Sequence, residues 1–293
     1  MSAASAALRR AGGWPWVLPA LAAVGLVVVF PIVKVVQYSL TNRTTFLEGQ
    51  FVGLDNYADL LGDDLFWSAV KNNLILLLSV PLSIVLALAI AGVLYRGVRG
   101  AWLYELLIFM PFLPAIASIA VVFLYLLGND GPLNELLRGA GLDGAAHAWL
   151  VEPETAIWSI LGVILWKRVG FTVLLFMARL ASIDRAQFDA AAVDGAGWTR
   201  TYCQVAIPQM RGIIGLAAVF GFVEAFSWTF AYVAILTRGG PDRSTYTLDF
   251  LLYKLQFDDQ LVGLASAIAV MLLLVALVVA AYRVHRARTE AFA

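Results

Sequence analysis

Six long, predominantly apolar runs dominate this 293-residue chain and restrict what it can fold into. A helix needs roughly 20 apolar residues to cross a hydrocarbon core about 30 Å thick. Runs of that length lie near 14–38, 70–94, 102–127, 157–180, 213–236 and 261–282. They are continuous, whereas barrel strands alternate apolar and polar residues in short segments, so they read as helices. Charged residues make up 14% of the chain. A soluble domain carries about 25%, so this chain has too few charges to cover a water-facing surface. The expected fold class is therefore all-α: a polytopic membrane protein with about six transmembrane helices.

The distribution of Lys and Arg gives an orientation, because loops on the cytoplasmic side carry the excess of positive charge. With the N-terminus inside, eleven arginines face the cytoplasm: Arg9, Arg10, Arg96, Arg99, Arg179, Arg185, Arg200, Arg211, Arg283, Arg286 and Arg288. The opposite loops hold Arg43, Arg138, Arg238, Arg243 and Lys254, and are rich in acids such as Asp55, Asp59, Asp63 and Asp64. The expected layout is a cytoplasmic tail 1–13, a membrane domain 14–283 and a cytoplasmic tail 284–293. A cleaved signal peptide at the first run is the competing reading. That run is longer than the usual apolar core of about 7–15 residues and lacks a clear small-residue cleavage site. Formal net charge is zero, and no nucleic-acid partner is expected. Membrane lipid is an expected partner. One cysteine, Cys203, cannot form a disulfide within the chain, and two distant histidines offer no metal cluster.

Pro31, Pro81, Pro111 and Pro114, with Gly170 and Gly221, interrupt the apolar runs. Such breaks either mark cavities and joints or merely curve a helix. Two prolines within four residues free several backbone carbonyls, so a kink is expected at Pro111–Pro114.

The loop 182–208 is the most informative stretch. Asp184 can cap a short helix, with Gln187 where a capping box places its partner. Ala190, Ala191 and Ala192 favour helix, and Gly195 can end it in the left-handed region. Beyond it Trp198, Tyr202 and Val205 recur at helical spacing on one face. Pro208 suits a first helical turn, where a missing N–H costs nothing. Such a surface helix either inserts into a groove on another protein or lies as a plain amphipathic helix on the membrane.

This stretch resembles the "EAA" loop of ABC importer permeases, E-A-A-x-x-x-G followed at fixed distance by I-x-L-P. It stands here as Asp189-Ala190-Ala191-Ala192-Val193-Asp194-Gly195, then Val205-Ala206-Ile207-Pro208. Asp194-Gly195-Ala196 is similar to the sugar-importer version. Asp189 replaces the glutamate, keeping the charge one methylene shorter. Phe30-Pro31-Ile32 with Tyr38-Ser39-Leu40-Thr41, Phe51-Val52-Gly53-Leu54-Asp55-Asn56-Tyr57, then Trp67, Ala69 and Asn72, resemble the same family in order. Leu236-Thr237-Arg238-Gly239-Gly240-Pro241 resembles the L-T-x-G-G-P of maltose-importer F-type subunits. The resemblance implies a type I importer permease in a prokaryotic cytoplasmic membrane. It also implies a second permease subunit, two cytosolic ATPases that bind the ATP, and an outer solute-binding protein. This chain itself is expected to hold no cofactor. The loop would be the coupling helix, with Asp189, Ala190, Ala191, Asp194, Gly195, Ala196, Tyr202 and Pro208 as the residues that couple to the ATPase.

Lys167 and Arg168 lie roughly 15 Å into the fourth run at 1.5 Å per residue, and Glu224 sits at similar depth in the fifth. An unpaired charge there costs about 3 kcal/mol or more. The expectation is that Glu224 pairs with Lys167 or Arg168 beside the solute pathway. Alternatively the fourth span begins later and leaves both cations near the outer interface. Glu224, Trp228 and Tyr232 form an i, i+4, i+8 stripe that either stacks on a sugar or packs between helices. No phosphate-binding G-x-x-x-x-G-K-[ST] loop and no catalytic set are evident, so the chain is not read as an enzyme. The alternatives kept open are a permease for a non-sugar solute, and a secondary transporter or membrane enzyme.

Overall fold

The structure is a computed structural model and describes residues 14–291, with side chains not described at 14–16, 284 and 286–291. The predicted tail 1–13 with Arg9 and Arg10, and the side chains of Arg286 and Arg288, lie outside the described residues. The chain is helical, with one isolated bridge, Thr41 to Phe51, among the described residues.

In order the helices are α1 (Trp14–Val24), α2 (Phe30–Ser39), α3 (Asp55–Gly62), α4 (Asp64–Leu77), α5 (Ser79–Tyr95), α6 (Ala101–Phe109), α7 (Ile116–Leu126) and α8 (Pro132–Gly139). They continue as α9 (Pro153–Ala181), α10 (Arg185–Val193), α11 (Trp198–Thr201), α12 (Ile207–Gln209), α13 (Arg211–Ser227), α14 (Phe230–Leu236), α15 (Leu248–Tyr253) and α16 (Val262–Ala291). Four stretches are unbroken, long and apolar enough to cross a membrane: Val17–Ser39, Asp64–Tyr95, Pro153–Ala181 and Val262–Arg283. Two bent pairs pass the same test together. Ala101–Phe112 meets Ile116–Leu126 at 95°, and Trp198–Gln209 meets Arg211–Ser227 at 67°. Leu26 and Val27, each 70% exposed, illustrate an exterior that presents branched aliphatic residues, the reverse of a water-facing surface.

The chain divides into two compact units. In the first, residues 14–62 join Leu252–Leu273. Asn56 Nδ2 donates to the carbonyls of Ser39 (2.8 Å) and Thr41 (2.9 Å), and the Tyr57 hydroxyl to Ser39 Oγ (2.7 Å). The motifs at 38–41 and 51–57 therefore close one corner. Pro31 does not end this stretch, which runs as one helical span over Val17–Ser39. It sits in the first turn of α2, after a π turn at Gly25–Val29.

The second unit spans Asp63–Leu251 and continues from Leu274. Asp63 caps α4 by accepting from Leu65 N at 2.8 Å. Pro81 sits in the first turn of α5, where its missing N–H costs least. α5 packs most extensively along α9, through Ala87 and Ala91 against Val173, Phe176 and Leu180. Helices in lipid gain little from hydrophobicity on associating, so small residues that allow close packing carry this interface. Gly170 and Gly221 break nothing, because α9 and α13 run straight through them. A Cβ on Gly170 would collide with the Ile108 carbonyl, and one on Gly221 with the Arg168 guanidinium. Both glycines are close-approach points rather than joints.

Candidate functional site

Two neighbourhoods gather the residues singled out from the sequence. The first is the loop 182–208. Asp184 caps α10 by accepting from Ala186 N at 3.0 Å. Gln187 does not close a capping box, since its Oε1 accepts from Gln209 Nε2 at 2.6 Å instead and ties α10 to α12. Gly195 takes φ 76°, and Ala196 N reaches back to the Ala191 carbonyl at 2.9 Å, the closure of a left-handed helix cap.

The second helical piece departs from the expected face. Tyr202–Ala206 forms a π turn. Its wider repeat buries Tyr202, Ala206 and Met210 and leaves Val205 only half-buried. Pro208 falls in α12, before the 67° bend, so the fifth apolar helix begins at Arg211. Tyr202 is the anchor. Its hydroxyl donates to the Leu88 carbonyl at 2.7 Å, and its ring lies where a Cβ on Gly92 would need to be. Burial pushes the Tyr202 hydroxyl up to about 12, so it keeps its proton as a donor. Trp198 stacks on both Tyr202 (5.8 Å) and Tyr95 (6.0 Å), with Phe188 beside Tyr95 at 5.7 Å. Arg179 holds the far side through Nη2 to the Gln209 carbonyl at 3.1 Å. The loop is thus fixed to the ends of α5 and α9. Asp189, Ala190, Asp194 and Gly195 remain exposed on its outer edge, with Ala191 and Ala196 half-buried behind them. Val193, an apolar side chain 88% exposed, stands among them and was not singled out from the sequence.

The second neighbourhood is a cleft of about 280 Å³ between α7, α9 and α13. Phe112, Lys167, Arg168, Phe171, Phe220, Glu224 and Trp228 are among its lining residues. α9 is continuous over 29 residues, so Lys167 and Arg168 lie at its middle, both buried, and not near its end. Glu224 pairs with Arg168: Nη2 to Oε2 is 2.7 Å. The same nitrogen donates to the Gly221 carbonyl at 3.3 Å, which the missing side chain of Gly221 permits. Lys167 turns the other way, donating to the carbonyls of Phe112 (2.8 Å) and Pro114 (3.0 Å).

The stripe Glu224–Trp228–Tyr232 does not survive as one face. The fifth apolar run breaks at Trp228–Thr229, between α13 and α14. Trp228, 58% exposed, lines the cleft, whereas Tyr232 is buried in a core cluster with Ile160 and Val233. The break is held by Asp249, a residue sequence reasoning missed. Its carboxylate accepts from Phe230 N (2.6 Å), Thr229 Oγ1 (2.8 Å), Thr247 Oγ1 (2.5 Å) and Phe250 N (2.9 Å). Burial pushes this carboxyl above the ordinary carboxylate range, against the pull of those hydrogen bonds. Asn73, also missed, donates to the Ala225 carbonyl at 2.7 Å and accepts from Leu248 N at 2.8 Å, fixing the same corner. The available signal was an Asn pair at 72–73 inside an apolar helix and a Thr-x-Asp at 247–249.

Comparison with known proteins agrees with this geometry. The chain is 33% identical over 279 residues to a probable ABC transporter permease protein from Pyrococcus horikoshii, covering 93% of this chain and 95% of that protein. It is 33% identical over 268 residues to the diacetylchitobiose uptake system permease protein of Streptomyces coelicolor, covering 87% of this chain and 76% of that one. A bacterial ABC transporter that imports the acidic polysaccharide alginate shares the fold, with a TM-score of 0.82, 21% identity and 94% of each chain covered. Residues 79–290 match the family described as binding-protein-dependent transport system inner membrane component. The chain belongs to that family: it is an ABC transporter permease of the inner membrane.

Proposed function

We propose that this chain is one membrane-spanning subunit of an ATP-driven importer for a sugar or sugar-like solute, forming half of the pathway. The observation that carries the reading is the 182–208 loop. An outer edge of Asp189, Ala190, Val193, Asp194 and Gly195 is exposed, while Tyr202 behind it is bolted to α5. A rigid, small-residue plug of this kind suits a groove on a second protein. It also passes any displacement to the helices, because packed interfaces shift as units. The partners in this reading are a second permease subunit, two cytosolic ATPases that bind ATP, an outer solute-binding protein and membrane lipid. The loop and both termini face the cytoplasm, in line with the arginine distribution.

The cleft supplies the solute path. Arg168, Glu224 and Trp228 combine a hydrogen-bonding pair with an exposed aromatic face, the pairing that saccharides use. The sugar assignment is supported by the named substrate of a relative, diacetylchitobiose. The test is reconstitution of the complex encoded with this chain in proteoliposomes. Uptake of disaccharides should require ATP and the binding protein, and Val193→Asp together with Asp194→Arg should abolish ATPase co-purification. A loop labelled from the outer face, or stimulation by a polyamine or phosphate ester instead of a sugar, would overturn the orientation or the solute class respectively.

A further inference from the structure

We infer that Lys167 is a positioning residue: it splints the broken helix pair α6–α7 to α9, so that the cleft wall at 112–116 keeps its place. The inference rests on reading the cleft as the solute path.

The break is severe. Met110–Phe112 forms a 3-10 turn, Pro111 and Pro114 follow one another closely, and the two arms diverge by 95°. The first arm stops at Phe112, so the carbonyls at its end lack helical partners, and Pro114 brings no N–H of its own to the turn. At membrane depth such carbonyls are met either by donors in the protein or by water in a cavity they line, and here the protein supplies the donor. Lys167 Nζ supplies two of the missing bonds, to Phe112 O at 2.8 Å and Pro114 O at 3.0 Å, one on each side of Leu113. The ammonium also lies 4.9 Å from the Phe112 ring centre, and that ring stacks on Phe171 of α9 at 4.6 Å. Hydrogen bond, cation–π contact and ring stack all tie the same segment to the same helix. Gly170, one turn further along α9, lets the Ile108 carbonyl approach in a way no side chain would allow.

The neighbour divides the labour. Arg168 turns to Glu224 on α13, while Lys167 turns to α6–α7. Two consecutive cations on one unbroken helix therefore hold the two walls of the cleft. Lys167 sets the shape of the path without being a solute ligand.

The test uses the assembled complex. Lys167→Met keeps the stem and removes every donor, whereas Lys167→Arg keeps charge and donors. In Lys167→Met the solute concentration giving half-maximal uptake should rise about tenfold, since charge-assisted hydrogen bonds to a fixed segment are lost. The amount of assembled complex should be unchanged, and Lys167→Arg should recover most of the effect. A second arm needs no solute and so stands apart from the sugar reading. It places a single thiol on the cleft wall by combining Ala115→Cys with Cys203→Ser, which removes the only native cysteine. Maleimide labelling of that thiol should quicken about tenfold in Lys167→Met and return to its former rate in Lys167→Arg. Should Lys167→Met not assemble, Lys167→Gln takes its place, with an intermediate rate expected. A labelling rate unmoved by loss of the donors, or equal impairment of the Met and Arg variants, would overturn the splint. Absence of sugar uptake by the unmodified complex, with the labelling change intact, would instead sink the functional reading.

Discussion

Two apolar runs in this protein are broken, and they are broken by different means. The third run carries its own instruction: Pro111 and Pro114 remove donors where the chain turns, and a cation, Lys167, donates to the carbonyls of Phe112 and Pro114, which the end of the helical arm leaves without helical partners. The fifth run has no proline at Trp228–Thr229. Its break is imposed from outside by an anion, Asp249, which accepts from the freed amide of Phe230 and from Thr229 Oγ1. The signs follow from backbone polarity. The end of a helix offers carbonyls and attracts positive charge, and the start of the next offers N–H groups and attracts negative charge. A break written in the broken segment should tolerate loss of its partner better than a break that the partner creates.

The largest effect is therefore expected at Asp249. Asp249→Ala should destabilise the complex by about 4 kcal/mol, as hydrogen bonds to a charged group are worth about 1.5–3 kcal/mol each and do not add fully. Thermal melting of the purified complex reads this, and Asp249→Asn should fall between. An Asp249→Ala complex as stable as Lys167→Met would erase the contrast between the two breaks. Next comes Glu224→Gln, which leaves Arg168 buried without its counter-charge and should cost about 3 kcal/mol. Exchanging the pair, Arg168→Glu with Glu224→Arg, should restore part of the lost uptake. A silent Glu224→Gln would mean that the pair does not hold α13 to α9.

Smaller is the joint change Pro111→Ala with Pro114→Ala. It returns two donors to the third run and should alter stability by only about 1–2 kcal/mol, because Lys167 still bonds the segment. A collapse of stability there would show that the cation cannot hold the turn once the prolines are gone, which would sharpen the contrast with the fifth run. Smallest is Gly195→Ala, where a left-handed φ costs a side chain about 1 kcal/mol. Its readout is ATPase stimulation by solute, which should weaken while melting barely moves.

Much of this was legible in the residues. Apolar run length marked the helices, and the pair of prolines marked the 95° break. Charge compensation led from Glu224 to a cation on the fourth run. The capping residue Asp184 and the left-handed Gly195 were readable because both are local in sequence. The face of the second helical piece was misread. The spacing named Val205, but the π turn shifts the repeat and buries Ala206. The stripe through Tyr232 failed for a related reason: helical spacing holds only while the helix does, and the helix stops at Trp228.

Run length, proline position and the need to neutralise buried charge were properties of the sequence by itself, since each follows from a residue and its near neighbours. Tertiary structure alone decided that Arg168 and not Lys167 takes Glu224, that Lys167 serves carbonyls 53 and 55 residues away, and that Asp249 opens a helix 19 residues before it. The reason is that a buried polar group must find a partner somewhere, but sequence states only the demand. Which group meets it depends on helix packing, and that packing is set by small residues such as Gly170 and Gly221, whose absent side chains let the partners approach.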